Sequence, residues 1–110
     1  MVVPASMNSI ASIANGLSGN LLLRAADVCL KERRPLVLVP RETPLHSIHL
    51  ENMLTLSRMG AVIAPPEPAF YLKPKGIADI VRFTVRRIMV ALGLDEALPG
   101  DLQYTGEARP

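Results

Sequence analysis

The 110-residue sequence has no tryptophan, only two tyrosines and two phenylalanines, one cysteine and two histidines. A single cysteine, Cys29, rules out an intramolecular disulfide, and two histidines beside it make no plausible cluster of metal ligands, which fits a reducing cytoplasm. The scarcity of aromatic rings leaves little for base stacking, and the net charge is only +2, with basic residues interleaved among acids such as Asp27, Glu32 and Glu42. Nucleic-acid binding is therefore unsupported. No apolar run approaches the roughly 18 residues read as a membrane-spanning helix, and no basic segment precedes the short apolar stretch at the N-terminus. We expect neither a membrane span nor an export signal.

What is present is apolar. Hydrophobic residues make up 49% of the chain and the mean hydropathy is +0.27, high for so short a soluble chain, whose surface is large relative to its interior. The length suits one domain with a modest core, and the apolar excess predicts association with other chains. Met1 to Val3 reads as the end of a buried strand running into a loop at Pro4-Ala5-Ser6. A short helix from about Ser9 buries Ile10, Ile13, Ala14 and Leu17, and Asn15-Gly16 ends it. A second helix, from Asn20 to about Arg33, has an apolar face of Leu21, Leu22, Ala25, Val28 and Cys29, and Pro35 closes it.

Leu36-Val37-Leu38-Val39 is a continuous apolar run between prolines, the pattern of a parallel strand covered on both faces. The polar loop Pro40-Arg41-Glu42-Thr43-Pro44 leaves its C-terminal end, where open α/β sheets put their ligands. A helix over Ser47 to Arg58, with Ile48, Met53, Leu54 and Leu56 apolar, ends at Gly60, and a strand follows at Ala61 to Ala64. The proline-rich stretch from Pro65 to Tyr71 is a stiff connector. Ile77, Ile80, Val81, Thr84, Val85, Ile88 and Leu92 then set out the clearest helical repeat in the chain, Gly76 to Leu92. Residues 1–92 read as one part of an α/β domain, and 93–110 as a polar C-terminal tail or an arm ordered by a neighbouring subunit. Alternating strands and helices imply a Rossmann-like layered parallel sheet, and three short strands make an incomplete one, as if further strands lay upstream or came from another chain.

Six stretches carry a family resemblance. Pro4-Ala5-Ser6-Met7-Asn8-Ser9, Ile13-Ala14-Asn15-Gly16 and Asn20 to Asp27 resemble the homo-oligomeric flavin-containing decarboxylase-like superfamily, whose members bind FMN in an α/β fold. Leu30 to Leu45, His49-Leu50-Glu51-Asn52-Met53 and Pro65 to Tyr71 are more similar to the flavin prenyltransferases within it. The resemblance covers residues 1 to 92 and identifies the chain as the C-terminal portion of such a protein. It implies attachment of a dimethylallyl group to FMN, closing a fourth ring. The prenylated FMN then serves a partner decarboxylase of ubiquinone and aromatic-acid metabolism, and no metal is needed. It also implies a homo-oligomer, in the family a dodecamer built of trimers, and a glycine- and serine-containing flavin loop and an acidic residue upstream of Met1. Ala5 and Asn8 depart from the cysteine and lysine that many prenyltransferases have there.

The same resemblance assigns residues. Ser6, Met7, Asn8 and Ser9 are expected to contact FMN, although a serine before a helix is by itself simply a cap. Arg41 is expected at FMN, its plain alternative being a surface ion pair. Prenyl transfer needs stabilisation of a leaving phosphate and exclusion of water, and Lys31, Tyr71 and Arg87 match the phosphate-side residues. On residue type alone Lys31 and Arg87 are solvated helix charges. Glu42 is the acid/base candidate, with Lys31 beside it in the chemistry; unmatched, it is a loop carboxylate. Arg24 serves phosphate, a neighbouring subunit or an ion pair with Asp27. Cys29, His46 and His49 read as structural. Two rival readings stand: an FMN-dependent decarboxylase, favoured by Pro4-Ala5-Ser6 with Asn8, and a chain that only oligomerises or binds flavin weakly.

Overall fold

In the computed structural model, which describes residues 1–99, three parallel strands lie in the order β1 (Val2–Ala5), β2 (Val37–Pro40) and β3 (Val62–Ile63). The helices between them are α1 (Met7–Ala14) and α2 (Leu21–Lys31) after β1, and α3 (Ser47–Arg58) after β2. These elements form one compact unit, Met1–Pro66. A second unit begins at Glu67 and contains a 3-10 turn at Phe70–Leu72, helix α4 (Ile77–Ala91) and a 3-10 turn at Asp95–Ala97. Of the tail expected over 93–110, residues 100–110 lie outside the described residues.

β2 is the centre of the sheet because its sequence leaves no face for water. Leu36 and Leu38 enter the core formed by Val2, Ala5, Ile10, Ile13, Leu23, Ala26, Leu56 and Ala61, while Val37 and Val39, on alternate positions, are buried as well. Pairing to β3 runs through bonds from Val62 N–H to the Leu36 carbonyl and from Ala64 N–H to the Leu38 carbonyl, at 2.9 and 2.8 Å. On the other side Val2 pairs with Leu38 and Ala5 with Pro40, with an irregularity between them. Pro4 falls at that irregularity. Expected in a loop, it lies inside β1, which borders the sheet, so its missing N–H breaks the ladder locally without ending the strand.

The helices follow their caps. Ser6 accepts from Ser9 N–H and starts α1 two residues before the expected point, and Asn20 accepts from Leu23 N–H to start α2. The inward face of α2 differs from the expected one. Leu23 and Ala26 are buried, with Cys29 and Leu30 packed against the core, whereas Leu21 is 84% exposed and Leu22 is exposed too. Apolar residues surround this helix, so periodicity alone admits two stripes, and the one centred on small Ala26 is the one packed inward. The turn after α2 sets Arg33 at φ 55, with Arg34 N–H donating to the Cys29 carbonyl at 2.8 Å and Arg33 N–H to that of Leu30 at 3.3 Å. This double-bonded stop normally takes glycine, so arginine there costs some backbone energy. Gly60, at φ 98, ends α3 without that cost.

Much of the periodic apolar surface is not packed inward. On α3 only Leu56 is fully buried, with Met53 against the core, and Ile48 and Leu54 are exposed. On α4, Ile88 is buried, but Ile77, Val81 and Val85, one face at i, i+4 and i+8, are exposed, Ile77 by 79%.

Candidate functional site

The register of β1 on β2 builds the site. Ala5 and Pro40 are partners on adjacent parallel strands, so the next residues, Ser6 and Arg41, emerge side by side at the carboxyl end of the sheet. Ser6 is the cap of α1: its Oγ accepts from Ser9 N–H at 3.1 Å and donates to Ser9 Oγ, also at 3.1 Å. The cap is formed, and it leaves the Ser9 hydroxyl hydrogen available to a ligand. The first-turn amides of Met7 and Asn8 have no intrahelical acceptor and add to the positive end of the helix dipole. The hydroxyls and amides at the start of α1 thus stand beside the strand end from which the exposed Arg41 leaves, and this donor set fits an anion or the carbonyl edge of FMN. Glu42 follows Arg41 in an exposed loop, its Oε1 accepting from Thr43 N–H at 3.2 Å.

Lys31 is not brought to this place. It is the last residue of α2, and that helix end shares a cleft of about 670 Å³ with the end of α3, lined by Cys29, Arg33, Arg34, Arg58 and Met59 among others. These segments lead into β2 and β3, so Lys31 lies at the amino end of the sheet, opposite Ser6 and Arg41. Arg24 is exposed on α2. Cys29, expected as a small core residue, is partly buried against the core.

Tyr71 and Arg87 belong to the second unit. Tyr71 is in the 3-10 turn and 77% exposed, and Arg87 is on α4. A cleft of about 590 Å³ in this unit is lined by Leu72, Lys73, Lys75, Asp79, Arg82 and Arg86 among others. The Asp79 carboxylate accepts from Lys75 N–H at 2.8 Å, and Lys73 sits at φ 51. These cations were not singled out from the sequence, although the i, i+4 spacing of Arg82 and Arg86 and the pair Lys73-Pro74-Lys75 are visible there. Arg87, a residue further on, does not line this cleft. Among the described residues no group of three or more histidine, cysteine or acidic side chains could hold a metal ion, and no helix is long and apolar enough to cross a membrane.

A parallel α/β sheet with a helix N-terminus and an arginine at its carboxyl edge defines a nucleotide- or flavin-binding class, and residues 1–89 match the family described as Flavoprotein. The chain belongs to the Flavoprotein family. Among its relatives, the flavin prenyltransferase UbiX of Methanocaldococcus jannaschii is 55% identical over 98 residues, 89% of this chain and 53% of the relative. That of Pseudomonas aeruginosa is 54% identical over 96 residues, 87% of this chain and 46% of the relative. Of solved structures, AnUbiX (PadA1) in complex with FMN and dimethylallyl pyrophosphate superposes with a TM-score of 0.83 at 48% identity, over 94% of this chain and 53% of that one. A dodecameric FMN-dependent Ubix-like decarboxylase from Escherichia coli O157:H7 gives 0.79 at 56% identity, over 83% and 49%. The chain spans about half the length of the relatives it matches.

Proposed function

We propose that this chain forms the FMN- and prenyl-phosphate-binding portion of a flavin prenyltransferase, which transfers a dimethylallyl group from dimethylallyl phosphate to reduced FMN. The observation that carries it is the Ala5–Pro40 register, which sets Ser6 to Ser9 beside Arg41 and Glu42 at the carboxyl end of the sheet. In the reaction the allylic carbon–oxygen bond of the donor breaks, phosphate leaves, and new bonds to the flavin close a fourth ring. FMN supplies the electron-rich ring that accepts the prenyl carbon. Ser6, Met7, Asn8, Ser9 and Arg41 bind and orient it, and Glu42 moves protons at the reacting edge. Lys31, Tyr71 and Arg87 stabilise the departing phosphate, and Lys31 also assists the chemistry.

Lys31 stands at the far end of its own sheet, so it serves a site to which another copy contributes. The exposed faces of Leu21 and of Ile77, Val81 and Val85 supply surface for that association. The family's larger relative described as dodecameric supports the same homo-oligomeric reading. The product passes to a prenylated-FMN-dependent decarboxylase, a step of ubiquinone or aromatic-acid metabolism. We place the protein in the cytoplasm, where its one thiol stays reduced.

The test is the change in flavin absorbance when the chain, reduced FMN and dimethylallyl phosphate are combined, set beside Arg87→Ala and Lys31→Ala. A donor-dependent change that both substitutions diminish, with FMN binding retained, is expected. A second reading, an FMN-dependent decarboxylase, is favoured by the residues Pro4-Ala5-Ser6 and Asn8 and by the description of the Escherichia coli structure. It takes over if the donor has no effect and the flavin-loaded protein instead releases carbon dioxide from an unsaturated aromatic acid.

A further inference from the structure

Two of the three helices of the first unit begin on caps that do not titrate near neutrality, the Ser6 hydroxyl and the Asn20 amide oxygen. α3 begins on two histidines. His49 N–H donates to His46 Nδ1 at 3.3 Å and His46 N–H donates to His49 Nδ1 at 3.4 Å, a reciprocal capping box made of imidazoles. The rings are stacked, with centroids 3.5 Å apart and planes inclined by 19°. Each bond needs a lone pair on Nδ1, so both rings must be neutral, with their protons on Nε2. A proton on either Nδ1 turns an acceptor toward an N–H donor. It also puts positive charge at the positive end of a helix dipole, and a second proton would stack like charges.

The pair sits where the site loop is fastened. Pro40, buried at the end of β2, holds the upstream end of the loop, and Arg41 to Leu45 are all exposed. The downstream end is held by the histidine box and by Leu50 N–H, which donates to the His46 carbonyl at 3.1 Å. α1 and β3, which pack against α3, carry no titratable side chain, and the charged residues of the loop and of α3 itself are Arg41, Glu42, Glu51 and Arg58. We infer that His46 and His49 are positioning residues, a neutral-imidazole clasp that fixes the loop carrying Arg41 and Glu42 and loosens it on protonation. Neither ring needs to touch a substrate. The inference rests on Arg41 and Glu42 being flavin-site residues only for its functional consequence, while the clasp is measurable without flavin.

The experiment is amide hydrogen exchange by NMR on the full chain from pH 8 to pH 5, corrected for the intrinsic pH dependence of exchange, followed by FMN titration over the same range. Protection at His49 and Leu50 is expected to fall by about 2- to 30-fold as the pH is lowered, the range of a lost helix cap, with Thr43 and Leu45 changing in step. His46→Asn/His49→Gln keeps both acceptors but cannot titrate in this range, so it should hold its protection and its FMN affinity across the series. His46→Ala should lose protection at every pH. Flat protection in the unsubstituted chain overturns the inference, as does fraying of α3 that leaves Thr43 and Leu45 unchanged. If FMN fails to bind at any pH while exchange follows the expected course, the flavin-site reading falls and the clasp stands.

Discussion

The two ends of the parallel sheet carry similar side chains on opposite helix ends. At the carboxyl end Arg41 stands beside the N-terminus of α1, with its unused amides and serine hydroxyls. At the amino end Arg33, Arg34 and Arg58 surround the cleft between the C-termini of α2 and α3. Counting positive charges would favour the amino end as an anion site. The helix ends reverse that choice, because free carbonyls and a negative dipole at the amino end disfavour an anion there, whereas the carboxyl end offers free amides near Arg41. Backbone polarity, then, decides which cluster of cations is open to an anionic ligand.

Removing the strand that joins the two ends should have the largest effect. Leu38→Ala empties a fully buried position at the centre of β2 and should destabilise the first unit by about 2 to 5 kcal/mol, measured by denaturant unfolding. A loss confined to FMN binding would contradict this. Next, Arg41→Ala should weaken FMN binding by about 1.5 to 3 kcal/mol in a fluorescence titration, with stability nearly unchanged, while Arg34→Ala leaves FMN affinity unaltered. Equal losses from the two would erase the distinction between the ends.

Ser6→Ala removes the α1 cap and should cost about 1 kcal/mol of stability, visible in thermal unfolding without ligand and accompanied by weaker FMN binding. The smallest effect belongs to Arg58→Ala. Arg58 is in the last turn of α3, where a cation is worth about 0.3 to 1 kcal/mol at low ionic strength, so the loss should shrink as salt is added.

The features legible in the sequence are those set by local chemistry. Leu36 to Val39 reads as a covered strand because prolines bound an unbroken apolar run, and α3 reads to the residue because Gly60 stops it. Pro4 and Pro40 read as loop because proline lacks a donor, yet both are in strands, where neighbouring pairing compensates for that loss. The inward face of α2 was ambiguous because apolar residues surround it. Ser6 to Ser9 and Arg41 are site candidates through the family resemblance alone, and the adjacency of Ser6 and Arg41 follows from the strand register, which one-dimensional spacing does not contain. The His46–His49 box went unread because imidazoles seldom cap helices, although their i, i+3 spacing is that of a capping box.

The division at Pro66 has a spectroscopic consequence. Every tyrosine and phenylalanine, Phe70, Tyr71, Phe83 and Tyr104, falls after it, and the chain has no tryptophan. The unit that carries Ser6 and Arg41 is therefore silent in tyrosine emission, while its helices still contribute to far-ultraviolet circular dichroism. Tyrosine fluorescence during a melt reports on the second unit alone, and a bound flavin would report on the first in its own visible band. The chain thus needs no added label for the two units to be followed separately as they unfold.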